Sequence, residues 1–195
     1  MNIKIFLKKI MLPLIKIDLA LPTKGIIFDI GCGEGVVSNF LAERSLKRKL
    51  IGIDKDKEKI KIAKKYNKVG KRMKFIKGDI FTYHFSAMEG VIISDFLHHL
   101  EYNKQKILLQ SIYKNLKING ICLIKEIDSS DRCRAKLSYW WDSFFYPKDR
   151  INYWQGTELA GYLETLGFQV KKVTAAKLFP GSINLFICQK SKNIA

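Results

Sequence analysis

Short apolar runs and amphipathic stretches alternate along most of the 195-residue chain. Runs rich in Ile, Val and Leu predict buried strands, and stretches with apolar residues three or four positions apart predict helices between them. The predicted strands lie at about 26–30, 50–54, 75–80, 91–95, 121–127, 170–174 and 183–189. The predicted helices begin near Val36 and cover about 55–68, 104–116 and 157–166. This order predicts an α/β fold with a doubly wound, mostly parallel sheet.

Glycine-containing pairs mark the expected ends of these elements. Asn119-Gly120 is predicted to close the 104–116 helix before the fifth strand, and Gly167 to close the last helix. Pro180-Gly181 is the predicted turn between the last two strands, which have no helix between them.

The first strand leads directly into a glycine-rich loop, Ile-Ile-Phe-Asp-Ile-Gly-Cys-Gly-Glu-Gly at 26–35. Glycine has no side chain to hold a ligand away from the backbone, and it tolerates positive φ angles. A dinucleotide fingerprint would need its third glycine at position 36, where the chain has Val36. A P-loop would need a Lys-Ser or Lys-Thr pair, which is absent. The loop therefore predicts a nucleoside cofactor site of another kind.

Two later strands end in a carboxylate. Asp54 follows the second strand about twenty residues after the glycine loop, the spacing at which α/β sites place the acid that binds ribose hydroxyls. Asp54 could instead cap the next helix, a role that is also open to Asp56. Asp79 follows the third strand in a Gly-Asp pair.

The motif Asp29-Ile30-Gly31-Cys32-Gly33-Glu34-Gly35 resembles the first motif of the class I S-adenosylmethionine-dependent methyltransferases. The resemblance implies a Rossmann-like seven-stranded sheet with an antiparallel C-terminal hairpin, S-adenosylmethionine as cofactor and S-adenosylhomocysteine as product. It implies that Asp29 lies near the cofactor ammonium group, that Asp54 binds the ribose, that Asp79 accepts from the adenine amino group and that Ile80 packs on the ring. The predicted cofactor residues are Asp29, Gly31, Cys32, Gly33, Gly35, Asp54, Lys55, Asp79, Ile80 and Ser94.

Length and composition predict one domain, residues 1–195, because 47% hydrophobic residues suffice for a buried core. The four cysteines form no Cys-x-x-Cys pair, which favours reduced thiols, a cytoplasmic location and no metal site. Cys32 is interpreted as a small packing residue and not as a nucleophile.

The N-terminal segment 1–22 is apolar but is interrupted by Pro13, Lys16 and Asp18, so neither an export signal nor a membrane span is expected. We expect an amphipathic helical segment that caps the domain or rests peripherally on the inner membrane face. Its expected inward side chains are Ile3, Phe6, Leu7, Ile10 and Leu14.

The net charge of +17 indicates an anionic partner. Residues 44–77 contain fifteen basic side chains against three acidic ones. Of the 35 basic residues 29 are Lys, whereas Arg is the residue that usually reads nucleic-acid bases. The predicted partners are therefore an anionic membrane surface, an acidic carrier protein and, last, nucleic acid. A lysine-rich proteome would produce the same run without a partner.

The acceptor side should follow the fourth and fifth strands. Methyl transfer is an in-line displacement, and a hydroxyl acceptor benefits from a base near neutral pH. His98, His99 and Glu126 are the candidates, although Leu-His-His-Leu is often structural in the resembling family and Glu126 could pair with Lys125 or Arg132. The loop Ser-Asp-Phe-Leu at 94–97 lacks the Asn/Asp-Pro-Pro-Tyr sequence found in enzymes that methylate base amines or side-chain amides, which disfavours those acceptors.

Eight aromatic residues fall within positions 139–154, inside a segment, 128–156, that we interpret as an acceptor lid. Tyr and Trp also favour membrane interfaces. The predicted substrate contacts are Trp140, Trp141, Phe145, Tyr146, Tyr153 and Trp154. The predicted function is methyl transfer from S-adenosylmethionine to a hydrophobic small molecule, lipid-like or carrier-bound, most favourably at oxygen. An RNA methyltransferase and a non-catalytic, cofactor-binding regulatory protein are the alternatives.

Overall fold

The structure, a computed structural model, describes residues 12–145, 150–176 and 183–192. Seven strands form one sheet in the order β3-β2-β1-β4-β5-β7-β6. They are β1 (Gly25–Ile30), β2 (Arg48–Asp54), β3 (Met73–Lys77), β4 (Met88–Ser94), β5 (Leu116–Ile127), β6 (Phe168–Ala176) and β7 (Ile183–Lys190). Strands β1 to β5 are parallel, and β7 is antiparallel to both β5 and β6. The predicted fold class, including the antiparallel hairpin, is confirmed.

Helices cover both faces of this sheet. They are α1 (Leu14–Ala20), α2 (Val36–Arg44), α3 (Lys57–Lys65), α4 (Tyr102–Asn115), α5 (Arg132–Phe145) and α6 (Gly156–Thr165). Buried side chains of α1, α2 and α3 pack with Ile27 and Leu50 on one face, and those of α4 and α6 pack with Phe28 and Ile93 on the other. Within the described ranges, no helix combines the length and the apolar content needed to cross a bilayer.

Helix α1 is held by a buried ion pair. Arg48, at the start of β2, is 1% exposed, and its guanidinium bonds the carboxylate of Asp18. The same guanidinium donates to the carbonyl oxygens of Pro22 at 2.8 Å and Leu41 at 3.3 Å. Leu14 is buried as predicted. The other predicted inward positions, Ile3, Phe6, Leu7 and Ile10, lie outside the described residues.

One local prediction was wrong. Helix α4 ends at Asn115 and β5 begins at Leu116, so Asn119-Gly120 lies within β5 and does not close the helix. Leu116 pairs with Met88 but Ile121 pairs with Gly90, so extra residues bulge from the ladder and place Asn119 at a φ of 64°. Helix α5 lies inside the segment 128–156, for which no secondary structure was predicted. The Pro180-Gly181 turn lies outside the described residues.

Candidate cofactor and acceptor site

The predicted cofactor residues follow neighbouring parallel strands at the same edge of the sheet. Ile30 at the end of β1 is in register with Ile53 of β2 and Ile93 of β4. Asp54 is in register with Lys77, the last residue of β3. The glycine loop, Asp54, Asp79 and Ser94 therefore meet where ligands bind in open α/β sheets.

The three loop glycines all have positive φ angles, 69° at Gly31, 53° at Gly33 and 75° at Gly35. A methyl group at Gly31 would overlap the ring of Phe96, and one at Gly35 would overlap the ring of Phe75. A methyl group at Gly33 would meet no protein atom within 4 Å. Packing of the protein itself therefore requires Gly31 and Gly35, whereas Gly33 borders open space that a ligand can occupy.

Asp54 lies beside that open space. Its Oδ2 accepts from the N–H of Gly33 at 2.9 Å, and its Oδ1 accepts from the N–H of Asp56 at 2.8 Å. Asp56 is the residue that caps α3, because its Oδ1 accepts from the N–H groups of Glu58 and Lys59. Capping thus belongs to Asp56, and the carboxylate of Asp54 is directed to the glycine loop.

Asp29 lies beneath the loop and is 2% exposed. The hydroxyl of Ser38 in α2 donates to its Oδ2 at 2.6 Å. Burial raises the pKa of Asp29 to about 7, and the nearby charge of Asp54 acts in the same direction, while the Ser38 hydrogen bonds oppose both. In the protein without ligand, Asp29 is therefore a neutral or partly charged group at neutral pH.

The raised pKa predicts a pH-dependent stability. The folded chain holds a proton on Asp29 that the unfolded chain, with a pKa near 3.8, releases. The free energy of unfolding should therefore fall as the pH rises from about 4 to 7, with a slope of up to about 1.4 kcal/mol per pH unit, and level off above that.

Chemical denaturation across this range, with Asp29→Asn as the matched variant, measures the slope. The amide retains an oxygen for the Ser38 hydroxyl but does not titrate, so its curve should lack this component. Parallel curves for the two proteins would contradict the assignment to Asp29.

Three consecutive residues, Asp79, Ile80 and Phe81, lie at the predicted adenine position and differ in exposure. Asp79 is exposed, and its Oδ1 accepts from the N–H of Phe81 at 2.9 Å. Ile80 is buried in the core, whereas Phe81 is 40% exposed. The exposed apolar side chain beside Asp79 is therefore Phe81, a candidate that sequence reasoning missed because it extends the motif by one position. Ile80 is 8% exposed, and its packing on the adenine ring stays a prediction.

The remaining predicted cofactor residues differ in exposure. Cys32 lies against Gly52, and burial raises the pKa of its thiol far above the usual range, which fits a packing role. Lys55 is exposed at the end of β2. Ser94 ends β4, and its hydroxyl lies 3.5 Å from Oδ2 of Asp95.

On the acceptor side, two of the candidate bases form one unit. Oε2 of Glu126 lies 2.6 Å from Nδ1 of His98, and Oε1 accepts from the N–H of Leu97 at 2.9 Å. Both side chains are buried. The ring of His99 packs on that of His98 with centroids 4.4 Å apart. The predicted alternative, a Glu126 pair with Lys125 or Arg132, is not the contact that forms.

Lys125 instead pairs with Asp95, and sequence reasoning missed both. The ammonium of Lys125 is buried and bonds the carboxylate of Asp95, the residue after β4. Asp95 has a φ of 51°, which is unusual for a residue other than glycine. The available signal was a single Lys inside the apolar run of β5, since a buried cation needs a partner.

The aromatic residues divide into anchored and exposed ones. The indole N–H of Trp154 donates to Oε1 of Gln105, and its ring stacks on Tyr162. The ring of Tyr153 packs on His98 with centroids 5.1 Å apart. Trp140 is exposed. Tyr146 and the side chains of Trp141 and Phe145 lie outside the described residues.

Both ends of the segment 129–155, which contains α5, meet at Asp128. Its Oδ1 accepts from Ser130 N–H at 3.0 Å and from Gly156 N–H at 2.9 Å. Its Oδ2 accepts from the ammonium of Lys172 at 2.6 Å. Burial would raise the pKa of Asp128, but the hydrogen bonds from Lys172, Ser130 and Gly156 outweigh that effect and lower it. The N–H of Ser129 also donates to the carbonyl of Trp154 at 3.1 Å.

In the part of the chain that the structure describes, no group of three or more His, Cys, Asp or Glu side chains is arranged to hold a metal ion.

Comparison with known proteins places this geometry in context. Residues 6–173 match a family model described as Methyltransferase domain. Carboxy-S-adenosyl-L-methionine synthase of Nautilia profundicola is 32% identical over 101 residues, 51% of this chain and 43% of that protein. YqeM of Bacillus subtilis is 30% identical over 146 residues, 66% of this chain and 57% of YqeM. The chain spans about half the length of these curated relatives.

Solved structures share the fold. A complex between the Haloferax volcanii Trm112 methyltransferase activator and a methyltransferase matches with a TM-score of 0.79 at 16% identity, covering 95% of this chain and 92% of the other. Human N-acetylserotonin methyltransferase in complex with S-adenosylmethionine matches with a TM-score of 0.73 at 18% identity, covering 93% and 52%.

Proposed function

Since the chain belongs to the family described as Methyltransferase domain, we propose that it transfers the methyl group of S-adenosylmethionine to a hydrophobic small molecule. The family match confirms the predicted class and its cofactor. We propose further that the acceptor is lipid-like or carrier-bound and reacts at oxygen. The roles of individual residues are proposed from the geometry of this chain.

The observation that supports the donor half is the open space at Gly33 beside Asp54. An ionised carboxylate has about four acceptor positions, and the hydrogen bonds to Gly33 and Asp56 use two of them. The other two suit the ribose hydroxyls. Asp79 then accepts from the adenine amino group, and the exposed ring of Phe81 is available to cover the base.

When bound, S-adenosylmethionine supplies an electrophilic methyl group on a sulfonium. The chain's own residues must align the acceptor oxygen with that methyl group and exclude water. Asp29, placed beneath the loop, is charged more readily once an ammonium group lies near it.

His98 and Glu126 support a base for a hydroxyl acceptor. We propose that Nδ1 of His98 donates to the carboxylate of Glu126 across the 2.6 Å contact, because a carboxylate without a proton can only accept. Nε2 is then the nitrogen that takes the acceptor proton. Glu126 acts as a positioning residue, since it also holds the N–H of Leu97 in the same turn.

The segment 129–155 supports an acceptor lid, because its two ends are fixed at Asp128 next to the carboxyl end of β5. Tyr153, which lies in this segment, packs on the ring of the proposed base His98. Ser138, on the inward side of α5, has a buried hydroxyl with no hydrogen-bond partner among the described residues, and a polar group of the acceptor would satisfy it.

An acceptor screen tests this proposal. We expect S-adenosylhomocysteine, detected by mass spectrometry, when the protein is incubated with S-adenosylmethionine and hydroxylated fatty acyl or phenolic compounds. Total RNA, and reactions without acceptor, serve as comparisons. Turnover with RNA alone would overturn the acceptor class and support the RNA alternative. Cofactor binding in calorimetry without turnover on any acceptor would support the regulatory alternative.

A further inference from the structure

Helix α5 exposes several of its bulky apolar side chains to solvent. Leu137, Trp140 and Phe144 are 47%, 73% and 79% exposed. At 100° per residue these three and Cys133 fall within an arc of about 60°. The opposite side of the helix presents Ala135 and Ser138, which are 9% and 1% exposed. A surface helix normally buries its apolar side chains and exposes its small and polar ones, and the described side chains of α5 show the reverse arrangement.

The charges around this apolar stripe (Cys133, Leu137, Trp140 and Phe144) are positive. Arg132 and Lys136, one helical turn apart, are both exposed along one side of the stripe. The side chains of α5 that the structure describes include these two cations and no acid. The chain as a whole carries a net charge of +17. An occupant of the stripe must therefore combine an apolar layer with negative charge.

We propose that the apolar stripe docks α5 on an anionic lipid bilayer. Leu137, Trp140 and Phe144 would enter the interfacial layer, where aromatic side chains are favoured, while Arg132 and Lys136 would contact lipid phosphates. A second copy of the chain fits less well, because two chains that each carry a net charge of +17 repel one another. This proposal deepens the proposed function, since a lipid-like acceptor would be presented at the same membrane surface. Only this link to the acceptor rests on the proposed function.

Vesicle flotation tests the docking without cofactor or acceptor. We expect binding to vesicles of phosphatidylcholine mixed with phosphatidylglycerol, weaker binding at raised salt, and little binding to phosphatidylcholine alone. Trp140→Ala should lower the partition coefficient at least about tenfold, because the largest inserted side chain is lost. Leu46→Ala and Ile107→Ala are the matched controls, as these side chains are 79% and 56% exposed but lie outside α5, and they should leave binding unchanged.

Thermal melts of each variant confirm folding. Absence of vesicle binding, equal binding to neutral vesicles, or equal losses in Trp140→Ala and the controls would overturn the proposal. A dimer in sedimentation that is lost in Trp140→Ala, without vesicle binding, would assign the stripe to a second copy instead. Since methyl transfer is measured separately in the acceptor screen, failure of docking leaves the proposed function standing.

Discussion

Asp54→Ala is expected to lower the affinity for S-adenosylmethionine at least about hundredfold. The carboxylate is the proposed partner of both ribose hydroxyls, and each hydrogen bond to a charged group contributes about 1.5–3 kcal/mol. The substitution also leaves the N–H of Gly33 without the acceptor that shapes the loop. Isothermal titration calorimetry measures the affinity directly. Asp54→Asn keeps one acceptor oxygen, so its affinity for S-adenosylmethionine should lie between those of the unchanged protein and of Asp54→Ala.

Asp56→Ala is the matched control for this prediction. Asp56 is two residues away and caps α3, so its loss should cost about 1 kcal/mol of unfolding free energy while the affinity stays unchanged. An equal loss of affinity in Asp54→Ala and Asp56→Ala would show that the loss comes from a disturbed helix α3 and not from the missing Asp54 carboxylate. Unchanged affinity in Asp54→Ala would remove Asp54 from the site.

Gly33→Ala is expected to weaken cofactor binding about tenfold to hundredfold, because its methyl group would enter the space assigned to the ligand, and overpacking costs about 1–3 kcal/mol. The positive φ adds a cost to folding of about 1–2 kcal/mol that is separate from binding. Calorimetry gives the first quantity and chemical denaturation the second.

Gly70→Ala isolates the backbone cost. Gly70 has a φ of 63°, and a methyl group there would also meet nothing within 4 Å. It precedes β3 in a turn outside the proposed site. The two variants should lose similar stability, and only Gly33→Ala should lose affinity. Normal affinity in both would place the cofactor elsewhere.

The fold and the donor loop could be predicted because their signals are local. A buried parallel strand such as β1 is a continuous apolar run, and the glycine spacing at 31–35 is contiguous in sequence. Pairings across the sheet were not accessible in the same way. Lys125 meets Asp95 and Glu126 meets His98 because Ser94 is in register with Lys125, a relation that only the assembled sheet establishes.

Helix α5 was missed for a different reason. Its apolar positions have helical spacing, but the residues expected to line a pocket include Trp140, which faces outward. Aromatic content alone does not distinguish a lid that encloses a substrate from a helix that presents its aromatic side to a partner. The prediction that Asn119-Gly120 ends helix α4 failed for a related reason. The pair indicates a residue with a positive φ angle, and such a residue occurs in a bulged strand as well as at a helix end.

The junction at Asp128 has a consequence for how acceptor preference can diversify. One carboxylate fastens the chain at Ser130 and again at Gly156, so the intervening segment starts and finishes at a shared point. Long surface insertions carry only a small added entropic penalty when their ends are fixed together. We therefore expect that the segment 129–155 can be exchanged between relatives that retain the Asp128 junction. Such an exchange should change the acceptor that is methylated and leave binding of S-adenosylmethionine unchanged.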